Sequence, residues 1–203
     1  MISRLERDFF ARDTLTVARE LLGQRLVRLL DGKRLAGRIV EVEAYIGEHD
    51  WASHAHGGRT RRNNAMYGPP GHAYVYLIYG MHHCLNVVTE RKGFPAAVLI
   101  RALEPLEGLE EMRRLRGNRS DLPLTSGPGR LCQALAIDRR FDQADLCAAD
   151  ATLFIEVGQQ PPLSDKAIAA TARIGVTGDE AAVTAPWRFY IRHNPHISTR
   201  RPN

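Results

Sequence analysis

Lysine is scarce in this chain. Lys33, Lys92 and Lys166 are the only three, so the 28 basic side chains, and the net charge of +5, rest almost wholly on arginine. Arginine presents a planar fork suited to bidentate phosphate contact, which tilts a basic chain toward an acidic partner without proving one. Cysteine is scarce too. Cys84, Cys132 and Cys147 form no C-x-x-C and no even framework, so free thiols in a reducing compartment are expected. No apolar run approaches the length of a membrane span, and residues 1–8 carry no apolar signal core. A cytoplasmic, nucleoid-associated protein without membrane contact is therefore expected. Also missing are a P-loop, a G-x-G-x-x-G turn, a G-x-S-x-G elbow and an H-E-x-x-H helix.

What remains is an ordinary globular composition, 44% apolar and 25% charged over 203 residues. The pattern predicts a helix over 14–22, strands over 24–30 and 38–45 joined by a hairpin at Asp31-Gly32, and a long Gly-rich loop over 47–72. Strands follow over 73–79, 84–88 and 96–103, then helices over 106–116 and 130–137. The last part reads as a strand at 151–156, a Pro-rich turn at 161–162, a short helix near 165–173 and a strand at 188–192. Strands joined by hairpins, with helices before and after, predict an α+β fold in one domain covering 1–203, with 1–8 and 199–203 as frayed tails.

The run Arg38-Ile39-Val40-Glu41-Val42-Glu43-Ala44-Tyr45 alternates as a strand should. Val40, Val42 and Ala44 share the expected core face. Ile39, Glu41, Glu43 and Tyr45 share the other. A carboxylate in so apolar a strand needs a partner, a task or water. Arg101, set between Leu99 and Leu103, is a matching oddity and a plausible partner for Glu43. The pair is either a structural ion pair or a carboxylate aimed at a water. Glu41, one pleat earlier, is given no catalytic role.

Other clusters carry weaker signals. Tyr74 and Tyr76 share a face of their strand and Tyr79 has the opposite parity, by the turn. They are either one half-buried face or, with Tyr45, the walls of a pocket for a flat heterocycle. His54-Ala55-His56 and His82-His83-Cys84 raise a metal, but no second carboxylate or cysteine stands at helical spacing nearby. Stacking or surface roles are the reading taken, with no metal and no cofactor. Ser126-Gly127-Pro128-Gly129-Arg130 looks like a capped helix start with a cation, and Arg59, Arg61 and Arg62 lie in the Gly-rich loop. Both are candidate phosphate contacts.

Four runs carry a resemblance. They are Gly37 to Tyr45, Tyr74 to Met81, Leu99 to Gly108, and Ser126-Gly127-Pro128 with Leu131-Cys132-Gln133-Ala134-Leu135. In order and spacing they resemble the alkyladenine (3-methyladenine) DNA glycosylases of the mammalian type, over residues 9 to 198. The resemblance implies a curved antiparallel sheet with a hairpin that enters the DNA minor groove. It implies that Glu43 is the general base for a water attacking the sugar C1′, and that Arg101 holds that water with the backbone carbonyl of Ile197. Tyr45, His54 and Tyr76 would sandwich the extruded base, the backbone of His54 would read its edge, and Asn86 would form the pocket floor. Tyr79 would fill the vacated space in the duplex, flanked in the groove by Met81 and His82. His82 and His83 stand where the family has aromatics. The implied partner is double-stranded DNA carrying damaged purines, met by a monomer. No lysine lies near these positions in sequence, so a Schiff-base step is not expected.

Overall fold

The structure is a computed structural model describing residues 3–118, 123–158 and 163–198. Its organising element is a strand of 14 residues, β2 (Lys33–Ile46), preceded by β1 (Arg25–Leu30) across the Asp31-Gly32 turn. β2 pairs along one edge with β5 (Ala96–Glu107). Along its other edge it pairs first with β1 and then, over Glu41 to Glu43, with β8 (Arg188–Ile191). β3 (Ala73–Ile78) and β4 (His82–Val88) continue the sheet beyond β5, and β6 (Leu153–Glu156) continues it beyond β1. All pairings are antiparallel, and the sheet is curled into a half-barrel.

The curl has a local cause where it matters. Between the pairs Ile39↔Leu103 and Glu41↔Ala102, Val40 has no partner. Between Glu41↔Ala102 and Val42↔Ile100, Arg101 has none. Two opposed bulges of this kind bend both strands and re-aim side chains. They also correct the expected alternation: Ile39 packs with Val42 and Ala44 in the main core, not with Glu41 and Glu43. Leu103 likewise joins that core, while Leu99 faces a second, aromatic cluster.

Among the described residues, five short α-helices complete the fold. α1 (Arg7–Phe10) follows a bridge between Arg4 and Glu156, and Leu5 is buried. Residues 3–8, expected to fray, are thus tied down, because Leu5 has core to fill and Arg7 reaches Asp145 at 2.6 Å. α2 (Thr14–Leu21), capped by Asp13, buries Val17, Ala18 and Leu21 against β2 and β5. α3 (Leu109–Leu115) begins later than expected, since β5 runs to Glu107 and Gly108 breaks the chain with a φ of 75°. α4 (Pro128–Ala134) packs on β4 and β5.

The predicted helix at 165–173 is instead a 3-10 turn (Asp165–Ala167) and a strand, β7 (Ile168–Thr171), paired with β8. Its alanines favour a helix, but burying Ile168 and Ala169 against β8 overrides that preference. α5 (Glu180–Thr184), capped by Asp179, was not foreseen. The expected turn at 161–162 and the expected frayed tail at 199–203 lie outside the described residues. No helix among the described residues is long and apolar enough to cross a membrane.

Candidate active site

One cavity of about 370 Å³ opens against the sheet, a size suited to a small ligand. Tyr74, Tyr76, Cys84 and Asn86 of the β3–β4 hairpin line it, as do Leu99 and Arg101 of β5 and Tyr45 at the end of β2. His54 closes one wall and the run Ile174 to Thr177 another. The rings of His54 and Tyr76 are 4.5 Å apart and edge-on, and Tyr74 hydrogen-bonds the His54 Nδ1 at 2.8 Å. Asn86, buried on the β4 side, donates to the Tyr74 carbonyl at 3.0 Å.

Glu43 lies just behind this cavity, with no exposed surface. Its Oε2 accepts from the Tyr45 hydroxyl at 2.9 Å and from Arg101 Nη1 at 3.0 Å, and its Oε1 accepts from the Ile174 N–H at 2.7 Å. A carboxylate offers about four acceptor positions, so these three donors among the described residues leave about one. Burial and the neighbouring Glu43 charge push the Tyr45 hydroxyl well up, so it remains a donor. Burial works against the Arg101 charge, but Glu43 and Glu41 outweigh it and raise Arg101 above the ordinary arginine value. Sequence reading made Glu43 a plausible partner for Arg101; the structure puts them on paired strands, with the bulge at Arg101 beside their contact.

The loop expected over 47–72 is compact. Asn63, almost fully buried, donates to the carbonyls of His54 and Gly58 at 2.7 and 2.9 Å, so it fixes the turn that delivers His54. The His54 carbonyl is thereby already engaged. Burial and the nearby Arg62 hold the His54 ring below the usual histidine value, which keeps it neutral at pH 7. A wholly buried ion pair of Asp50 with Arg173, at 2.6 and 2.7 Å, joins this loop to the opposite wall. Arg173 also lies 4.8 Å over the ring of Tyr45, which lines the cavity. Sequence reading missed Asp50, Asn63 and Arg173; a pair 123 residues apart leaves no local signal.

The β3–β4 hairpin ends in a turn with positive φ at both Tyr79 (52°) and Gly80 (68°), the primed type that matches strand twist. Tyr79 is 82% exposed and Met81 70%, an apolar tip thrust into solvent. His82, at the base of the tip, is also exposed, and Gly129 of α4 packs so close to it that a Cβ there would meet the His82 Cβ at 3.0 Å.

The remaining expected contacts separate into two groups. Arg59, Arg61 and Arg62 are exposed; Arg62 lies 5.8 Å over the ring of Tyr76, which lines the cavity, and Arg59 bonds Asn64. Ser126 does not cap α4. The helix starts two residues before the expected Arg130, its cap is Gly127, and the Ser126 hydroxyl donates to the His196 carbonyl at 2.6 Å. Arg130 folds back onto the Ser126 carbonyl at 3.0 Å.

The histidine clusters do not converge. His56 stacks on Trp51 and hydrogen-bonds the Glu48 carbonyl, and burial pushes the Cys84 thiol up to about 11, far from a thiolate ligand. Among the described residues no three His, Cys, Asp or Glu side chains gather in a way that could hold an ion.

An aromatic slot, a buried carboxylate–guanidinium pair behind it and an exposed tyrosine on the adjoining hairpin form one unit. Comparison with known proteins gives that unit a family. The family model described as methylpurine-DNA glycosylase matches residues 8–195. A protein of Methanocella arvoryzae, named by inference a 3-methyladenine DNA glycosylase, is 54% identical over 98% of this chain and 97% of its own length. Proteins given the same name in Alkaliphilus oremlandii and Bacillus cereus are 48% and 49% identical, over 97% and 95% of this chain and 100% and 97% of their own lengths. With nearly the whole chain matched on every side, it belongs to the methylpurine-DNA glycosylase family, hydrolases that cleave N-glycosyl bonds in DNA.

Proposed function

We propose that this chain, acting as a monomer, extrudes a damaged purine from double-stranded DNA and hydrolyses its N-glycosidic bond with a water activated by Glu43. The leading substrate is 3-methyladenine, with 7-methylguanine, ethenoadenine and hypoxanthine as further ones. The observation that carries this reading is Glu43 itself: buried behind an aromatic cavity, with three donors among the described residues on its oxygens and about one acceptor position left for a water. Glu43 takes the proton of that water, the water oxygen bonds to C1′, and the bond from C1′ to the base breaks with its electrons leaving on the base. Arg101, which lines the cavity and holds Glu43, orients the attacking water together with the backbone at Ile197.

Tyr45 and Tyr76, with His54, supply the walls for the flat base, and Asn86 supplies the floor. Stacking on aromatic side chains contributes about 1–3 kcal/mol per base. A cationic N-alkylated purine gains cation–π attraction and also leaves without being protonated. The cavity offers little acid at neutral pH. His54 is held neutral, and burial raises the hydroxyls of Tyr45, Tyr74 and Tyr76. Cationic lesions should therefore react faster than hypoxanthine.

The test uses two duplexes, one holding an N-methylated adenine and one hypoxanthine, incubated with the protein in EDTA and then treated with alkali. The expected result is chelator-resistant, alkali-labile sites that form faster on the methylated duplex, with no borohydride-trapped adduct. Loss of activity in EDTA would favour a metal-dependent hydrolase, and binding without base release would favour a non-catalytic reader of damage.

Tyr79 fills the gap left in the duplex, and this offsets part of the few kcal/mol that extrusion costs. Tyr79→Ser should weaken binding of lesion duplex by roughly 10-fold. Because the side chain is exposed, the unfolding midpoint should not move. Fluorescence anisotropy and thermal melts check the two halves; an unchanged affinity would remove Tyr79 from the wedge position.

A further inference from the structure

Glu41 has no exposed surface and does not line the cavity, yet among the described residues it collects four donors against three for Glu43. Its Oε1 accepts from Arg101 Nε at 3.0 Å, from Arg188 Nε at 2.7 Å and from the Ser198 hydroxyl at 2.8 Å, and its Oε2 accepts from the Ser198 N–H. Three parts of the fold meet there: β5 through Arg101, β8 through Arg188, and the segment after β8 through Ser198. Ser198 closes the ring, because its hydroxyl also accepts from Arg101 Nη2 at 3.2 Å. The same segment is held at the Ser198 carbonyl by Arg188 and at the His196 carbonyl by Ser126.

We propose that Glu41 is a positioning residue for the hydrolytic step, acting through Arg101 and Ser198. This rests on the proposed role of Glu43. The reasoning is geometric. Arg101 has five N–H donors in a rigid fork and would turn two of them onto one carboxylate if free to do so. A two-point contact with Glu43 would fill the acceptor position that the water needs. Glu41 takes the Nε side and Ser198 takes Nη2, so that among the contacts of the described residues only Nη1 meets Glu43. The bulge at Arg101 makes this division possible, because it lets one guanidinium face two carboxylates of the same strand. Glu41 also fixes the backbone at Ser198, next to the Ile197 carbonyl proposed to face the same water.

The inference reverses the expectation that Glu41 is a bystander. Glu41→Gln keeps the shape but loses the charge and offers an amide N–H₂ to a ring of donors. Released from it, Arg101 turns onto Glu43 and the water is misplaced. The expected result is a fall in kcat of about 100-fold, the scale of a misplacement near 1 Å, with affinity for lesion duplex within about 3-fold.

A merely structural role would lower activity in every background by the same factor. The decisive measurement is therefore a double-mutant cycle with Glu43→Gln, read as single-turnover base release well below the melting temperature. If Glu41 acts through Glu43 and Arg101, adding Glu41→Gln to Glu43→Gln causes little further loss. An equal fold-loss in both backgrounds, or a kcat within about 3-fold of the parent for Glu41→Gln alone, overturns the proposal. Should Glu41→Gln not fold, Ser198→Ala serves in the same cycle, since it removes only the hydroxyl that bridges Glu41 and Arg101; the same two outcomes decide. The parent chain is assayed alongside. A parent without base release refutes the proposed function, whereas an active parent with an unaffected Glu41→Gln refutes only the positioning role.

Discussion

Arg101→Met should lower the free energy of unfolding by about 3–5 kcal/mol, the cost of removing one partner from a buried ion pair. Methionine fills much of the same volume, so the loss reflects charge and hydrogen bonds more than a cavity. Arg101 serves two carboxylates, Glu41 and Glu43, neither of which reaches solvent. Arg188 still balances Glu41 at 2.7 Å, but among the described residues Glu43 would keep only the Tyr45 hydroxyl and the Ile174 N–H. Urea unfolding of parent and variant measures the difference. A loss under about 1 kcal/mol would mean that the buried cluster is balanced by groups other than the ones described. Lysine would be a poor substitute, since one ammonium cannot reproduce the fork that meets Glu41, Glu43 and Ser198 together.

Glu43→Gln should separate binding from chemistry. The aromatic walls of the cavity do not depend on the charge of Glu43, so lesion duplex should bind the variant within about 3-fold of the parent, as far as stacking decides affinity. Base release should slow by about 10²–10⁴-fold, the range that a positioned general base supplies. The variant also bears a stability cost. Glu43 meets donors on both oxygens, so a glutamine N–H₂ must face one of them, most simply the Ile174 N–H. One such mismatch in a buried site costs about 1–3 kcal/mol. Binding by anisotropy and a thermal melt must therefore accompany the rate, so that a folded, binding-competent and slow enzyme is distinguished from an unfolded one.

The strand carrying Glu43 was legible from its alternation, and so was the oddity of Arg101 among leucines. Alternation cannot reveal a bulge. Val40 and Arg101 drop out of register on facing strands, which sends Ile39 and Leu103 into the core and lets Arg101 bridge two carboxylates. That is why Glu41 read as a bystander. The hairpin tip was legible because parity separates Tyr79 from Tyr76. The β7–β8 ribbon was not, because alanine-rich residues 168–171 carry helical propensity that sheet pairing overrides. Asp50 and Arg173 belong to neither pattern. They are ordinary polar residues in loops until the fold places them together behind Tyr45. What joined these distant parts in advance was the resemblance of four long runs to one family, which implied that Tyr45, Tyr76, Tyr79 and Glu43 serve a single site.

The most direct test is single-turnover release of free base from a duplex holding one N-alkylated purine, with parent and Glu43→Gln each at saturating concentration. The parent should release the purine in proportion to the alkali-labile sites formed. The variant should bind the same duplex and release base at least about 100-fold more slowly. Release by the variant within a few-fold of the parent would contradict the assignment of Glu43 as the residue that activates the water.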